Sequence, residues 1–168
     1  MIPLMSAHLG PRASALASEV IESTRVGHGR SVEDFHMALA RALECDPSLL
    51  VLTSSCSAAL YLAVRLDDCR RVLMSPMTFV ASAAAVVMAG GVPVWGDCAP
   101  GTCQLDTQAA ARHVDADGVM PVAWAGWLPQ LGALDPSRPV ILDAAQAFGA
   151  FYAGRPAHQS ATFTCYSF

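Results

Sequence analysis

Short apolar runs bounded by turn residues recur along the chain, and most neighbouring pairs are separated by a segment of helical length. Leu49-Leu-Val-Leu-Thr53, Arg71-Val-Leu-Met74, Val92-Pro-Val-Trp95, Val119-Met-Pro-Val-Ala123, Pro139-Val-Ile-Leu-Asp143 and Ala161-Thr-Phe-Thr-Cys-Tyr-Ser167 are short and rich in Val, Leu and Ile, which predicts strands. Between and before them, Val32 to Leu43, Ser57 to Leu66, Thr78 to Ala89 and Leu105 to His113 predict helices. Ser31 with Asp34 offers a capping box, and Gly90-Gly91 a C-terminal stop. This alternation predicts an α/β fold: a doubly wound, mainly parallel sheet with helices on both faces. Residues 1–30 break the pattern. They hold a helical segment near Ser14 to Glu22 and the turn Val26-Gly-His-Gly-Arg30, and predict an arm ahead of a domain spanning residues 31–168. No internal repeat or low-complexity linker divides that domain.

In a sheet of this kind ligands bind beyond the carboxyl ends of the strands. Three loops there carry candidate chemistry. After the first run comes Thr53-Ser-Ser-Cys-Ser-Ala-Ala-Leu60, small hydroxyl residues leading into a helix. The free N–H groups of that first turn, with the Ser55 and Ser57 hydroxyls, form a phosphate cradle or, as such turns more often do, an ordinary N-cap. Ser75-Pro-Met-Thr-Phe79 puts an aromatic ring at the start of a helix, where it either stacks on a flat heterocycle or joins the core. Val140-Ile-Leu-Asp143 ends a buried apolar strand in a carboxylate. A buried aspartate needs a cation or donors, so Asp143 either faces a cationic ligand or caps the turn that follows.

In composition, hydrophobic residues are 54% and charged residues 14%, which excludes a disordered chain and suits a sheet buried on both faces. The net charge of −4, without a basic cluster, argues against nucleic acid. The first residues lack a signal-peptide pattern, and Phe79 to Met88 is too short to span a bilayer, so the expectation is a cytoplasmic protein with no membrane partner. Cys45, Cys56, Cys69, Cys98, Cys103 and Cys165 show no C-x-x-C pair, and His8, His28, His36, His113 and His158 complete no zinc pattern with them; no metal is expected. All ten basic residues are arginine. A mechanism that needs a lysine amine therefore cannot run on these residues alone.

Taken in order, Ser-Ser-Cys-Ser-Ala-Ala-Leu60, Ser75-Pro-Met-Thr-Phe-Val-Ala-Ser82, Ala89-Gly-Gly-Val-Pro-Val-Trp-Gly-Asp97, Leu142-Asp-Ala-Ala-Gln-Ala-Phe-Gly-Ala-Phe-Tyr-Ala-Gly-Arg155 and Thr164-Cys-Tyr-Ser-Phe168 resemble the DegT/StrS family of sugar aminotransferases, which depend on pyridoxal 5'-phosphate (PLP). The resemblance runs from about Gly27 to Phe168. It implies that residues 31–168 are part of a PLP-binding large domain, ending before the Schiff-base lysine, which in the family follows shortly after Ser167. It also implies site roles: Cys56, Ser57 and Ala58 at the cofactor phosphate, Phe79 on the pyridine ring, Asp143 at the ring nitrogen, Gln146 on the phenolic-oxygen side, and Ser167 adding a hydroxyl to the phosphate. The implied substrates are a nucleotide-linked keto-sugar and an amino-acid donor. The implied partners are a homodimer mate or a complementing chain carrying the lysine, and the alternative is a non-catalytic PLP-binding or interaction module. The sequence departs from the family in having Cys56-Ser57 for Gly-Thr, and Pro121-Val-Ala-Trp-Ala-Gly126 where a histidine usually follows Pro-Val. In the family's topology an antiparallel strand, which follows the lysine loop, lies between the first and last strands read here.

Overall fold

The computed structural model describes residues 9–168; Met1–His8, with His8 and the start of the expected arm, lie outside the described residues. Two compact units divide the chain, one reaching Val51 and the other spanning Leu52–Phe168.

In the first unit, α1 (Pro11–Glu22) starts with proline at its first position, where a missing N–H costs nothing. Helix α2 (Arg30–Leu43) buries Leu39, Ala40 and Leu43 along one stripe. The capping box does not form. The N-cap is Gly29, Ser31 already lies inside the helix, and Asp34 pairs with Arg30 at 3.7 Å instead. The helix ends with Glu44 in the left-handed region (φ 54°). A 3-10 turn, Pro47–Leu49, follows, with the Asp46 carboxylate accepting from Ser48 N–H at 2.8 Å.

The expected strand at Leu49–Thr53 is not one. Leu49 ends the 3-10 turn, and residues 50–53 join no ladder among the described residues. Apolar character and extended geometry are local properties, but a strand also needs a neighbour for its N–H and C=O groups.

The second unit begins with α3 (Cys56–Leu66) and continues through β1 (Arg71–Met74), α4 (Val80–Met88), β2 (Val92–Trp95) and β3 (Gly118–Val119) to β4 (Ile141–Ala144). A small antiparallel hairpin, β5 (Phe151–Tyr152) and β6 (Arg155–Pro156), precedes β7 (Phe163–Tyr166). The ladders β2-β1-β3 and β4-β7 are both parallel. Parallel bridges Val119↔Val140 and Val122↔Asp143 tie them together, giving the spatial order β2-β1-β3-β4-β7. Of the expected Val119–Ala123 strand only Val119 lies in a continuous ladder, joined there by Gly118 before it, and Val122 is held by its single bridge.

Alternation along the strands sends side chains to two cores. Val72, Met74, Met120, Ile141 and Cys165 face α3 and α4, where Leu60, Val64, Ala85 and Val86 meet them. Leu73, Val119, Leu142 and Ala144 face the other way, toward Leu105, Ala110, Leu131 and Ala157. That second face is covered by short 3-10 segments, Ala109–Arg112, Leu131–Ala133 and Ala157–Ser160. The helix expected over Leu105–His113 shrinks to the first of these. Leu105 is held in a bridge to Cys98, which keeps it out of a helix; Asp106 then caps Gln108 and Ala109 N–H at 3.1 and 3.0 Å, and after a turn at 107–108 only Ala109–Arg112 is 3-10 helix. The Gly90-Gly91 stop ends α4 as expected: Gly90 takes φ +86°, and the Gly91 N–H donates to Val86 O at 2.9 Å.

Candidate functional site

Because the main strands are parallel, their carboxyl ends share one edge, and the expected site residues sit around it. Asp143 is the penultimate residue of β4 and only 5% exposed. Its Oδ2 accepts from the Ser82 hydroxyl at 2.6 Å, and its Oδ1 from Ala145 N–H at 3.1 Å. Among the described residues no cation pairs with it. A buried carboxylate held only by neutral donors retains acceptor capacity for a positively charged partner.

The α3 N-terminus lies on the same edge. Ser55 is its N-cap, and the Ser55 Oγ accepts from Ala58 N–H at 3.2 Å. Ala58, expected at a phosphate, thus already spends its N–H on the cap, while those of Cys56 and Ser57 remain at the open end of the helix. Ser57 is exposed. The Cys56 side chain turns inward instead, and its thiol donates to Cys165 O at 3.6 Å, tying α3 to β7. Burial, aided by the nearby Asp143 charge, pushes the Cys56 thiol up to about 12. Burial, then Cys56 and Asp143, push Cys165 up to about 12 as well. Both sulfurs stay protonated and neutral, and both thiols lie within electrostatic reach of the Asp143 carboxylate.

Phe79 is the N-cap residue of α4, and its side chain is 70% exposed. It does not join the core, which removes one of the two alternatives left open by the sequence. Gln146 is also exposed, but its Oε1 accepts from Ala125 N–H at 2.7 Å. That bond holds a turn in which Ala125 and Gly126 take φ of +54° and +84°, an uncommon geometry for alanine. Ser167 is exposed directly after β7. Phe148 packs edge-to-face against Tyr166 and Phe168 beside it.

Sequence reasoning missed three participants. Thr78 and Ser82 appear in a quoted motif without a role, although their i, i+4 spacing at the start of an apolar helix was a legible signal. Cys165 appears in the last quoted motif, also without a role. A cavity of about 700 Å³ between the segment 99–108 and Trp124–Gln130 was also unforeseen. Its lining includes Gln104, Asp106, Trp124 and Trp127 but no basic side chain, which makes it a poor home for a phosphate. No group of metal-ligating side chains forms among the described residues, and no helix there is long and apolar enough to cross a membrane.

The arrangement has close counterparts. The chain is 36% identical over 104 residues to a UDP-2-acetamido-2-deoxy-3-oxo-D-glucuronate aminotransferase of Pseudomonas aeruginosa, an alignment covering 58% of this chain and 29% of that protein. The solved structure of AtS13 from Actinomadura melliaura superposes with a TM-score of 0.92 at 32% identity, over 100% of this chain and 49% of that one. The sugar aminotransferase CalS13 from Micromonospora echinospora gives 0.90 at 27% identity, over 99% and 49%. The chain therefore spans about half the length of these solved structures and less than a third of the P. aeruginosa protein. The model of the DegT/DnrJ/EryC1/StrS aminotransferase family matches residues 8–168. With the α/β sheet and the ordered motifs in register with that match, this chain belongs to the DegT/DnrJ/EryC1/StrS aminotransferase family.

Proposed function

We propose that these residues form the cofactor-binding part of a PLP-dependent aminotransferase acting on nucleotide-linked keto-sugars. The observation that carries this reading is Asp143, a buried carboxylate at the carboxyl edge of β4 with no cationic partner among the described residues. Its donor set fits the cofactor. A protonated pyridine nitrogen is the kind of partner that Asp143 lacks, and the open α3 N-terminus suits a phosphate. When bound, PLP supplies an electron sink that stabilises negative charge on the substrate carbon bearing the amino group.

This chain's own residues then divide the work. Asp143 pairs with the ring nitrogen, and Phe79, solvent-exposed at the start of α4, stacks on the ring face. The N–H groups of Cys56 and Ser57, with the hydroxyls of Ser57 and Ser167, hold the phosphate, while Ala58 supports the cradle through its bond to Ser55. Gln146 has its Oε1 fixed by Ala125, which leaves its Nε2 to donate toward the phenolic oxygen. Residues 31–168 act in this reading as part of a large domain, with residues 1–30 as an arm. The 168 residues contain no lysine, so the amine that holds PLP covalently must come from residues outside them.

Titration of the purified chain with PLP, followed by tryptophan quenching, tests the reading. Saturable binding is expected, and Asp143→Asn should weaken it at least about tenfold, the scale of one hydrogen bond to a charged group. The same variant removes an unpaired buried charge, so its melting temperature should be no lower than that of the unmodified chain. Equal binding of PLP by both proteins would sink the assignment of Asp143.

A further inference from the structure

Helix α4 reads Val-Ala-Ser-Ala-Ala-Ala-Val-Val-Met, and Ser82 is its one polar residue. Ser82 is fully buried, beneath the turn that presents Phe79. A serine in that position is a poor choice for the helix alone, since alanine has the higher helix propensity and carries no group to satisfy. The hydroxyl is satisfied twice. It lies 2.6 Å from Asp143 Oδ2 and 2.6 Å from Thr78 Oγ1. A carboxylate only accepts, so the single Ser82 proton goes to Asp143, and Thr78 then donates to Ser82. The result is a directed chain, Thr78 to Ser82 to Asp143, that ends on the opposite carboxylate oxygen from the Ala145 N–H.

We propose that Ser82 is a positioning residue for the cofactor: by fixing one oxygen of Asp143 while Ala145 fixes the other, it sets the plane in which the carboxylate meets the ring nitrogen. The proposal rests on the PLP reading above. Two donors on two different oxygens prevent rotation of the carboxylate about its own axis, and each oxygen keeps a lone pair unspent. Thr78 directly precedes Phe79, so a single helix turn governs both the stacking ring and, through Ser82, the plane of the acid. Ring height and nitrogen contact are then adjusted together by α4.

The test compares two probes on the 168-residue chain: PLP, and its carbocyclic analogue with C–H in place of the ring nitrogen. In the unmodified chain PLP should bind more tightly than the analogue. Ser82→Ala should weaken PLP about tenfold while leaving the analogue's affinity unchanged, so that the preference collapses. Ser82→Thr, which keeps the hydroxyl, should restore the preference. Thr78→Val, at a half-buried position, should reduce it by a smaller factor with the same signature. If Ser82→Ala weakens both probes equally, Ser82 is merely structural and the proposal fails. It fails too if the preference survives in Ser82→Ala. If the unmodified chain binds both probes equally or neither, the assignment of Asp143 to the ring nitrogen fails first, and the Ser82 proposal falls with it.

Discussion

In the proposed reading Cys56 stands where the family resemblance implies a glycine at the phosphate, and its side chain is turned away from the α3 N-terminus toward β7. The thiol's neutrality makes this substitution tolerable. A thiolate there would set negative charge beside both Asp143 and any phosphate, but burial and Asp143 hold Cys56 at about 12, and Cys165 is pushed equally high by burial, Cys56 and Asp143. Cys69, buried under the β1 start, is raised to about 11 by burial and by Asp117, Asp67 and Asp68. All three thiols ionise near 9 when unfolded. Between that value and the folded ones the unfolded state therefore holds fewer protons, and stability falls as pH rises. Below pH 9 these groups contribute no pH dependence. The melting temperature should accordingly decline from pH 9 to 11, and Cys56→Ala should flatten that decline in differential scanning calorimetry; an identical slope in the variant would refute this assignment. Little of this was legible in the sequence. The motif order located Cys56, Asp143 and Phe79, but which atoms remain free depends on Ser55, Ser82, Ala125 and Cys165, groups brought in by folding. Ala58 shows the limit well, since only the three-dimensional cap reveals that its N–H is spent.

Among the elements, β1, β2, β4 and β7 coincide with the apolar runs, and α2, α3 and α4 with the helical segments, to within a few residues. Most of these patterns were self-sufficient, because β1, β4, α2, α3 and α4 each bury a face in a local period, whereas β2, with no buried residue, is held by its ladder to β1. Residues 50–53 and 105–113 failed for opposite reasons. The first lacks a partner, which no local pattern can supply. The second gains one, the bridge to Cys98 that holds Leu105 out of a helix. A tighter constraint lies where β3 passes the end of α3. A Cβ built on Gly118 would stand 2.6 Å from Cys69 Sγ and 3.3 Å from its Cβ, closer than packed atoms approach. Neither group can retreat easily: Cys69 is buried, and Gly118 is fixed by its ladder to β1. Gly118→Ala should therefore destabilise the chain by about 1–3 kcal/mol, the usual cost of overpacking. Adding Cys69→Ala removes the sulfur that causes the collision, so the double variant should melt above the Gly118→Ala single variant. Additive losses in chemical denaturation would locate the strain elsewhere.

At the scale of the second unit the notable feature is β7, a sheet edge with no strand beside it among the described residues. Strand β7 pairs only with β4 among the described residues, so at Thr164 its other side faces no partner strand. Phe163 N–H donates to Val140 O at 3.1 Å, and alternation along the strand turns the Thr164 N–H to the open side. Thr164 Oγ1 is buried without a hydrogen-bond partner, so this strand leaves both a backbone and a side-chain group unsatisfied. Exposed aromatic side chains, including Phe79, Trp127, Phe148 and Phe168, add apolar surface in the same unit. The relatives are about two to three and a half times as long as the segments matched here, and in them the further residues are one natural source of cover. Among the described residues, the unpaired Thr164 position on an edge strand with apolar surroundings is a template for pairing with another copy. We therefore expect the purified chain to show a mass above that of a monomer by light scattering at tens of micromolar, falling toward 17.6 kDa on dilution. Hydrogen exchange separates edge pairing from looser association. The Phe163 amide, bonded to Val140 O, should be protected at every concentration, whereas Thr164 should gain protection only as the oligomer forms. A monomer at high concentration with a cooperative melt would show that the edge is blunted by something other than pairing, and association that leaves Thr164 unprotected would move the contact to the aromatic surface.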